Sequence, residues 1–145
     1  MFSNGNISLV KQKIILLVED DIILAMAKKI ELGKYGYKTV HALNGEKSLD
    51  ILEWGKERID LILMDIDLGE GMDGIQTAQN ILKRYDIPIV FLSSHEEKDI
   101  VAKTEKITSY GYVVKSSTIT VLDVFIKMAF KLHDNISLRK QAVEI

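Results

Sequence analysis

The chain has 145 residues, 47% of them apolar, and a formal net charge of −2. That length fits one domain with short tails, and that apolar content supplies a core and excludes a disordered tail. Mixed charge of near-zero sum argues against a nucleic-acid surface, and the absence of cysteine excludes a disulfide framework and leaves zinc only His and carboxylates.

Residues 1–12 form an N-terminal extension without the charged start or long apolar stretch of a signal peptide. Ile14 to Val18 is uninterruptedly apolar, which predicts a strand buried on both faces. No apolar run in the chain is long enough to cross a bilayer, so the expectation is a cytoplasmic protein with no membrane contact. Residues 21–32 predict a helix with Ile23, Ala27 and Ile30 on one apolar stripe. Residues 37–43 predict a second strand, whose mixed polarity marks a sheet edge. Residues 44–58 predict a second helix, capped by Asn44, with Leu49 and Leu52 facing inward. Residues 61–64 are another doubly buried strand, and residues 74–85 a third helix. Pro88, the only proline, leads into a strand over 89–92, where its missing N–H does little harm. Residues 96–107 predict a polar helix whose main apolar residues are Ile100 and Val101. Residues 111–114 are a short fifth strand. Residues 118–133 are a fifth helix, capped by Ser117 or Thr118, and residues 134–145 are a tail or the start of a linking helix.

Strands that alternate with helices in this way build a parallel sheet covered on both faces, an α/β architecture with one body over residues 13–133. Ligands of such folds bind at the carboxyl ends of the strands. Glu19, Asp20 and Asp21 follow the first strand, and Asp65 and Asp67 the third. Ser93, Ser94 and His95 follow the fourth, and Lys115 the fifth. Carboxylates that converge on one rim are costly to ionise together. A hard divalent cation removes that cost, and Mg²⁺ favours a few carboxylates with waters and phosphate oxygens. A lysine and a hydroxyl beside it suit a phosphoryl group, and a carboxylate can itself accept one. His41, His95 and His133 are too dispersed to form a ligand pair.

In this order and spacing, the segments Val18-Glu19-Asp20-Asp21, Leu63-Met64-Asp65-Ile66-Asp67 with Met72-Asp73-Gly74, Phe91-Leu92-Ser93-Ser94 and Gly111-Tyr112-Val113-Val114-Lys115 resemble the receiver domains of bacterial response regulators. The chemotaxis response regulator typifies that family, and the resemblance covers residues 13–133. It implies a five-stranded, doubly wound, flavodoxin-like sheet. It also implies a two-component phosphorelay switch rather than a turnover enzyme. By this resemblance Asp65 is the phosphoacceptor, and Glu19, Asp20, Asp65 and the backbone carbonyl of Asp67 hold Mg²⁺ or Mn²⁺. Ser93 and Lys115 bind the phosphoryl group, Ser93 and Tyr112 are the switch pair, and the Asp67 side chain and His95 tune dephosphorylation. The implied partner is a histidine kinase or phosphotransfer protein. The wording around residues 107–116 and 126–132 further resembles receivers fused ahead of sensory or histidine-kinase modules.

The chain departs from the family pattern twice. Ser116 follows Lys115 where the family carries a cis proline; a cis bond without proline costs about 3 kcal/mol, which predicts a trans bond here. Gly69 stands where proline is common, four residues past Asp65.

Taken singly, the same residues admit plainer accounts. Glu19, Asp20 and Asp21 suit a solvated turn and helix start, where acids are favoured anyway. Ser93 alone suits a cap, Lys115 a surface position, Tyr112 an ordinary strand and His95 an exposed loop. Gly69-x-Gly71-x-x-Gly74 matches a dinucleotide-binding pattern, but it follows the third strand and is crowded by Asp65, Asp67, Glu70 and Asp73. Asp65-Ile66-Asp67 is also similar to the nucleophile pair of haloacid dehalogenase phosphatases, which makes a small phosphatase the alternative. A phosphate-independent interaction module with a relic site is a third reading.

The fifth helix carries an apolar excess. At about 100° per residue, Asp123, Lys127, Lys131 and Asp134 share one narrow polar face. Apolar residues fill the remaining arc of roughly 240°, whereas a core stripe needs little more than about 100°. The expectation is contact with a second copy or with a following domain, through Val121, Val124, Met128 and Phe130.

Overall fold

The computed structural model describes residues 11–94, 102–104, 107 and 110–144. Its strands are β1 (Ile14–Val18), β2 (Lys38–Ala42), β3 (Leu61–Asp65), β4 (Ile89–Ser93) and β5 (Tyr112–Val114). They form a parallel five-stranded sheet in the order β2-β1-β3-β4-β5. The polar strand β2 is indeed an edge. The order reverses between β1 and β3, which opens a crevice at their carboxyl ends.

Alternation along the strands divides the core in two. Ile15 and Leu17 of β1, Leu61 and Leu63 of β3 and Val90 and Leu92 of β4 point to one face. There they meet Ala25 and Leu32 of α1 (Ile22–Lys34) and Leu122, Ile126 and Ala129 of the C-terminal helix (Ile119–Glu144). Leu16, Val18, Ile62, Met64, Ile89 and Phe91 point the other way. They meet α2 (Gly45–Trp54), through the half-buried Leu49 and Leu52, and α3 (Gly74–Leu82), through Ala78 and Ile81. Both faces are therefore covered, as the apolar runs of β1 and β3 require.

Local chemistry sets the helix ends. Asp21 caps α1, its carboxylate accepting from the N–H groups of Ile23 and Leu24. Asn44 caps α2 by accepting from Lys47 N–H, and Asp73 and Gln76 form a reciprocal capping box at α3.

Several sequence expectations need correction, among them the third helix, which ends at Leu82 and not at 85. The stripe of Ile23, Ala27 and Ile30 does not face the core: all three are exposed, and α1 packs inward through Ala25 and Leu32. The second helix stops at Trp54, short of residue 58, because Gly55 turns to an extended backbone and its N–H closes the helix on Ile51 O at 2.8 Å. Asp123 leaves the polar face of the fifth helix and is buried, accepting from Tyr37 Oη at 2.6 Å and Lys127 Nζ at 2.7 Å. The fifth helix does not end at 133 but continues to Glu144, so of the two readings of the tail the helical one holds. Between β4 and β5, residues 102–104 and 107 are helical; the rest of the helix expected over 96–107 lies outside the described residues.

Candidate functional site

Each strand presents its last residues to one rim. The ladder continues one step past the strands: Glu19 N–H donates to Ala42 O at 3.0 Å, Ile66 N–H to Leu92 O at 3.0 Å, and Lys115 N–H to Ser93 O at 2.7 Å. These bonds fix Glu19, Asp65, Ser93 and Lys115 in register across β1, β3, β4 and β5. His41, at the end of the edge strand, reaches across with Nε2 2.7 Å from Glu19 O.

Glu19, Asp20, Asp65 and Lys115 converge. Lys115 Nζ lies 2.7 Å from Asp65 Oδ2 and 2.9 Å from Glu19 Oε1. Carboxylate oxygens of Glu19, Asp20 and Asp65 all lie within 4.8 Å of one another. Asp65 and Ser93 are fully buried and Glu19 nearly so, while Asp20 faces solvent. Asp67 donates its N–H to Asp65 Oδ1 at 3.0 Å, and its exposed side chain accepts from Ser94 Oγ at 3.3 Å. Tyr112 is half-buried against the core face that carries Phe91. His95 lies outside the described residues.

The charges are out of balance. Burial pushes the Asp65 carboxyl upward; Lys115 opposes this and Glu19 adds to it, with the result at about 7. Burial and the neighbouring Glu19 also hold Asp20 above the usual carboxylate range. Burial likewise works against ionised Glu19, but hydrogen bonds from Lys115 and the groups around it leave it below its ordinary value. Burial opposes the charge on Lys115 as well, and its bonds to Asp65 and Glu19 outweigh that and raise it. Three carboxyl groups thus share one ammonium, and two of them resist ionisation. A divalent cation supplies the missing charge, so this donor set fits such an ion.

The loop from Asp65 to α3 frames this group. Gly69 and Gly71 have φ of +70° and +87°, the left-handed region that favours glycine. Glu46 of α2 ties the loop down, its Oε1 accepting from Met72 N–H at 3.1 Å. Nothing in the sequence distinguished Glu46 from a surface acid. Gly74 meets the backbone of Asp65 so closely that a Cβ there would stand 1.9 Å from Asp65 O. The glycines of this loop therefore serve turns and a close approach, not a pyrophosphate cradle. The Lys115–Ser116 bond is trans, as expected on energetic grounds. A cleft of about 360 Å³, lined by Lys13, Asp60, Asp86, Pro88 and His133 among others, shares no residue with the acidic group. No helix among the described residues is long and apolar enough to cross a membrane.

Comparison with known proteins agrees with this geometry. Residues 15–127 match the family model of the response regulator receiver domain, and the chain belongs to that family. It is similar to the transcriptional regulatory protein AfsQ1 of Streptomyces coelicolor, 31% identical over 118 residues that make up 81% of this chain and 51% of that protein. The chain spans between about a quarter and just over half the length of the curated relatives it matches. Among solved structures, it resembles the N-terminal domain of a response regulator/sensory box/GGDEF three-domain protein from Carboxydothermus hydrogenoformans. That likeness has 45% identity and a TM-score of 0.78, and covers 86% of this chain and 99% of that one. It also resembles the signal receiver domain of a modulated diguanylate cyclase from Desulfovibrio desulfuricans, with 26% identity, a TM-score of 0.75 and coverage of 86% and 98%. Receiver domains are phosphorylation-dependent signalling modules, and their chemistry is limited to their own phosphorylation and dephosphorylation. The phosphatase alternative finds no support in these relatives.

Proposed function

We propose that Asp65 accepts a phosphoryl group from a phosphohistidine on a histidine kinase or phosphotransfer protein. An Asp65 carboxylate oxygen attacks the phosphorus as the P–N bond breaks. The imidazole nitrogen leaves with the electron pair and is protonated. Glu19, Asp20, Asp65 and the Asp67 carbonyl are the residues to hold Mg²⁺ or Mn²⁺, which supplies charge neutralisation for the phosphoryl oxygens. Lys115 already rests on Asp65 at 2.7 Å, so its ammonium is in place for a phosphoryl oxygen. Ser93, one residue beyond the Asp65–Leu92 pairing, is the hydroxyl donor to another.

The donor protein needs a landing surface beside this rim. The exposed apolar face of α1, with Ile22, Ile23, Met26 and Ile30, starts next to Asp20 and Asp21 and suits that role. The same reading places the domain in the cytoplasm. Phosphorylation then shifts Ser93 toward the phosphoryl group and lets Tyr112 turn inward, with Asp67 and His95 setting how fast water removes the phosphoryl group. The readout passes to the C-terminal helix, toward a second copy or a following domain.

The observation that carries this reading is the Lys115–Asp65–Glu19 contact beside Asp20 at the carboxyl ends of β1, β3 and β5. Acetyl phosphate with Mg²⁺ tests it. Intact-mass analysis should show one phosphoryl adduct that Asp65→Asn abolishes. An undiminished adduct in that variant overturns the assignment.

A further inference from the structure

The C-terminal helix has two apolar stripes, and the fold uses one. Leu122, Ile126 and Ala129 are buried against the sheet. On the other side Val121, Val124, Met128, Leu132 and Leu138 remain 41%, 50%, 51%, 42% and 63% exposed. At about 100° per residue these five fall within an arc of roughly 120°, facing away from the buried stripe. Phe130, expected among the contact residues, is not in this arc; it packs on the core, with Lys13 Nζ 5.0 Å from its ring centre.

We infer that this stripe is the seam of a parallel, in-register two-stranded coil with a second copy of the chain. The spacing carries the inference. Val121, Val124, Met128, Lys131, Asn135, Leu138 and Ala142 follow one another at alternating steps of three and four, the a and d positions of a heptad. The helix runs 26 residues, long enough to present that pattern over its whole exposed side. Val121 and Met128 occupy a positions, Val124 and Leu138 d positions. Asn135 stands at an a position, where a lone amide pairs with its own copy and fixes both strand number and register. Leu132, beside the seam at an e position, offsets the polar Lys131.

Asn135 chooses the direction, since it meets its own copy only in a parallel pair, and the flanking charges fit that choice. Asp134 is a g residue and Arg139 the e residue five positions later. In a parallel pair each Asp134 faces the Arg139 of the second copy, twice per dimer. An antiparallel pair over the same stretch would set Asp134 against Lys127, another g residue and of opposite charge, but it would also place Asn135 against the apolar Val124 and leave its amide without a partner amide. Both side chains are exposed and available for this. The inference stands on the heptad and does not require Asp65 to be the phosphoacceptor.

The chain contains no cysteine, so single cysteines report the seam directly. Sedimentation should show a monomer–dimer equilibrium. Under mild oxidation Leu138→Cys, on the seam, should form a covalent dimer, and Lys140→Cys, on the outer face, should not. Both positions are exposed, so neither change threatens the fold. Asp134→Arg should weaken the dimer about fivefold, and adding Arg139→Asp should restore it. A chain that stays monomeric at its highest soluble concentration overturns the inference and leaves the stripe to a following domain. A dimer in which the two cysteines cross-link equally, or in which Leu138→Cys does not cross-link, overturns the parallel register.

Discussion

Lys115 and Asp65, fifty positions apart in the chain, meet at 2.7 Å between ammonium and carboxylate. The bond holds a fully buried carboxylate at the sheet rim and keeps a cation over it. Glu19 shares the same ammonium at 2.9 Å, so three groups from three strands form one charged unit.

That unit needs more positive charge than Lys115 provides. Replacing Glu19 and Asp20 together by Ala should weaken Mg²⁺ binding at least about tenfold, since the remaining Asp65 is a single carboxylate ligand. Calorimetric titration measures this. Unchanged affinity would show that the metal binds elsewhere.

The raised carboxyl of Asp65 has a consequence for stability. Its folded value of about 7 lies above the ordinary 3.8, so the folded state holds the proton more tightly than the unfolded chain does. Its contribution is therefore fully present below 3.8 and is lost as pH rises toward about 7. Asp20 acts with the same sign and Glu19 with the opposite one. Asp65→Asn should stabilise the metal-free domain at alkaline pH by about 1–2 kcal/mol and have little effect in acid. Urea denaturation across that range is the measurement. An Asn variant less stable than the parent at alkaline pH contradicts the argument.

Tyr37 and Asp123 form a buried bond of 2.6 Å between the start of β2 and the C-terminal helix. Burial and that carboxylate keep the phenol protonated far above its usual range. Tyr37→Phe leaves one oxygen of a buried acid without its donor, at a cost of about 1–3 kcal/mol. Equal urea midpoints for variant and parent would mean that water replaces the phenol.

Gly74→Ala should be the most damaging small substitution near the site. The new methyl would lie 1.9 Å from Asp65 O and 2.8 Å from Ile66 Cα, backbone atoms that cannot swing aside. A loss of about 2 kcal/mol or more is expected, with weaker Mg²⁺ binding, because the loop must move away from Asp65. A variant of parental stability and affinity would show that the loop yields freely.

The sequence showed the strands and the strand ends clearly. Buried parallel strands leave solid apolar runs, and the residue after each run is confined to one rim; Glu19, Asp65, Ser93 and Lys115 were found on that basis. Helix orientation was less legible. α1 is apolar on more than one side, so periodicity alone could not choose Ala25 and Leu32 over Ile23, Ala27 and Ile30. Asp123 looked like a solvent residue because its partner Tyr37 lies 86 positions away. The tail carried no stop signal, which left a helical continuation open, but nothing local decided it over an irregular tail.

The sheet has a kinetic consequence. Every neighbouring pair of strands is parallel, so no two are joined by a hairpin. Leu17 pairs with Leu63, and the whole of α1, β2 and α2 must be looped out before they touch. The sheet cannot zip up from a local turn, and loop closure comes ahead of the contacts that reward it. Folding should then be paced by the docking of β1 on β3. Destabilising changes at that pairing, such as Leu63→Ala, should slow refolding, whereas equal losses in the exposed tail of the C-terminal helix should mainly hasten unfolding.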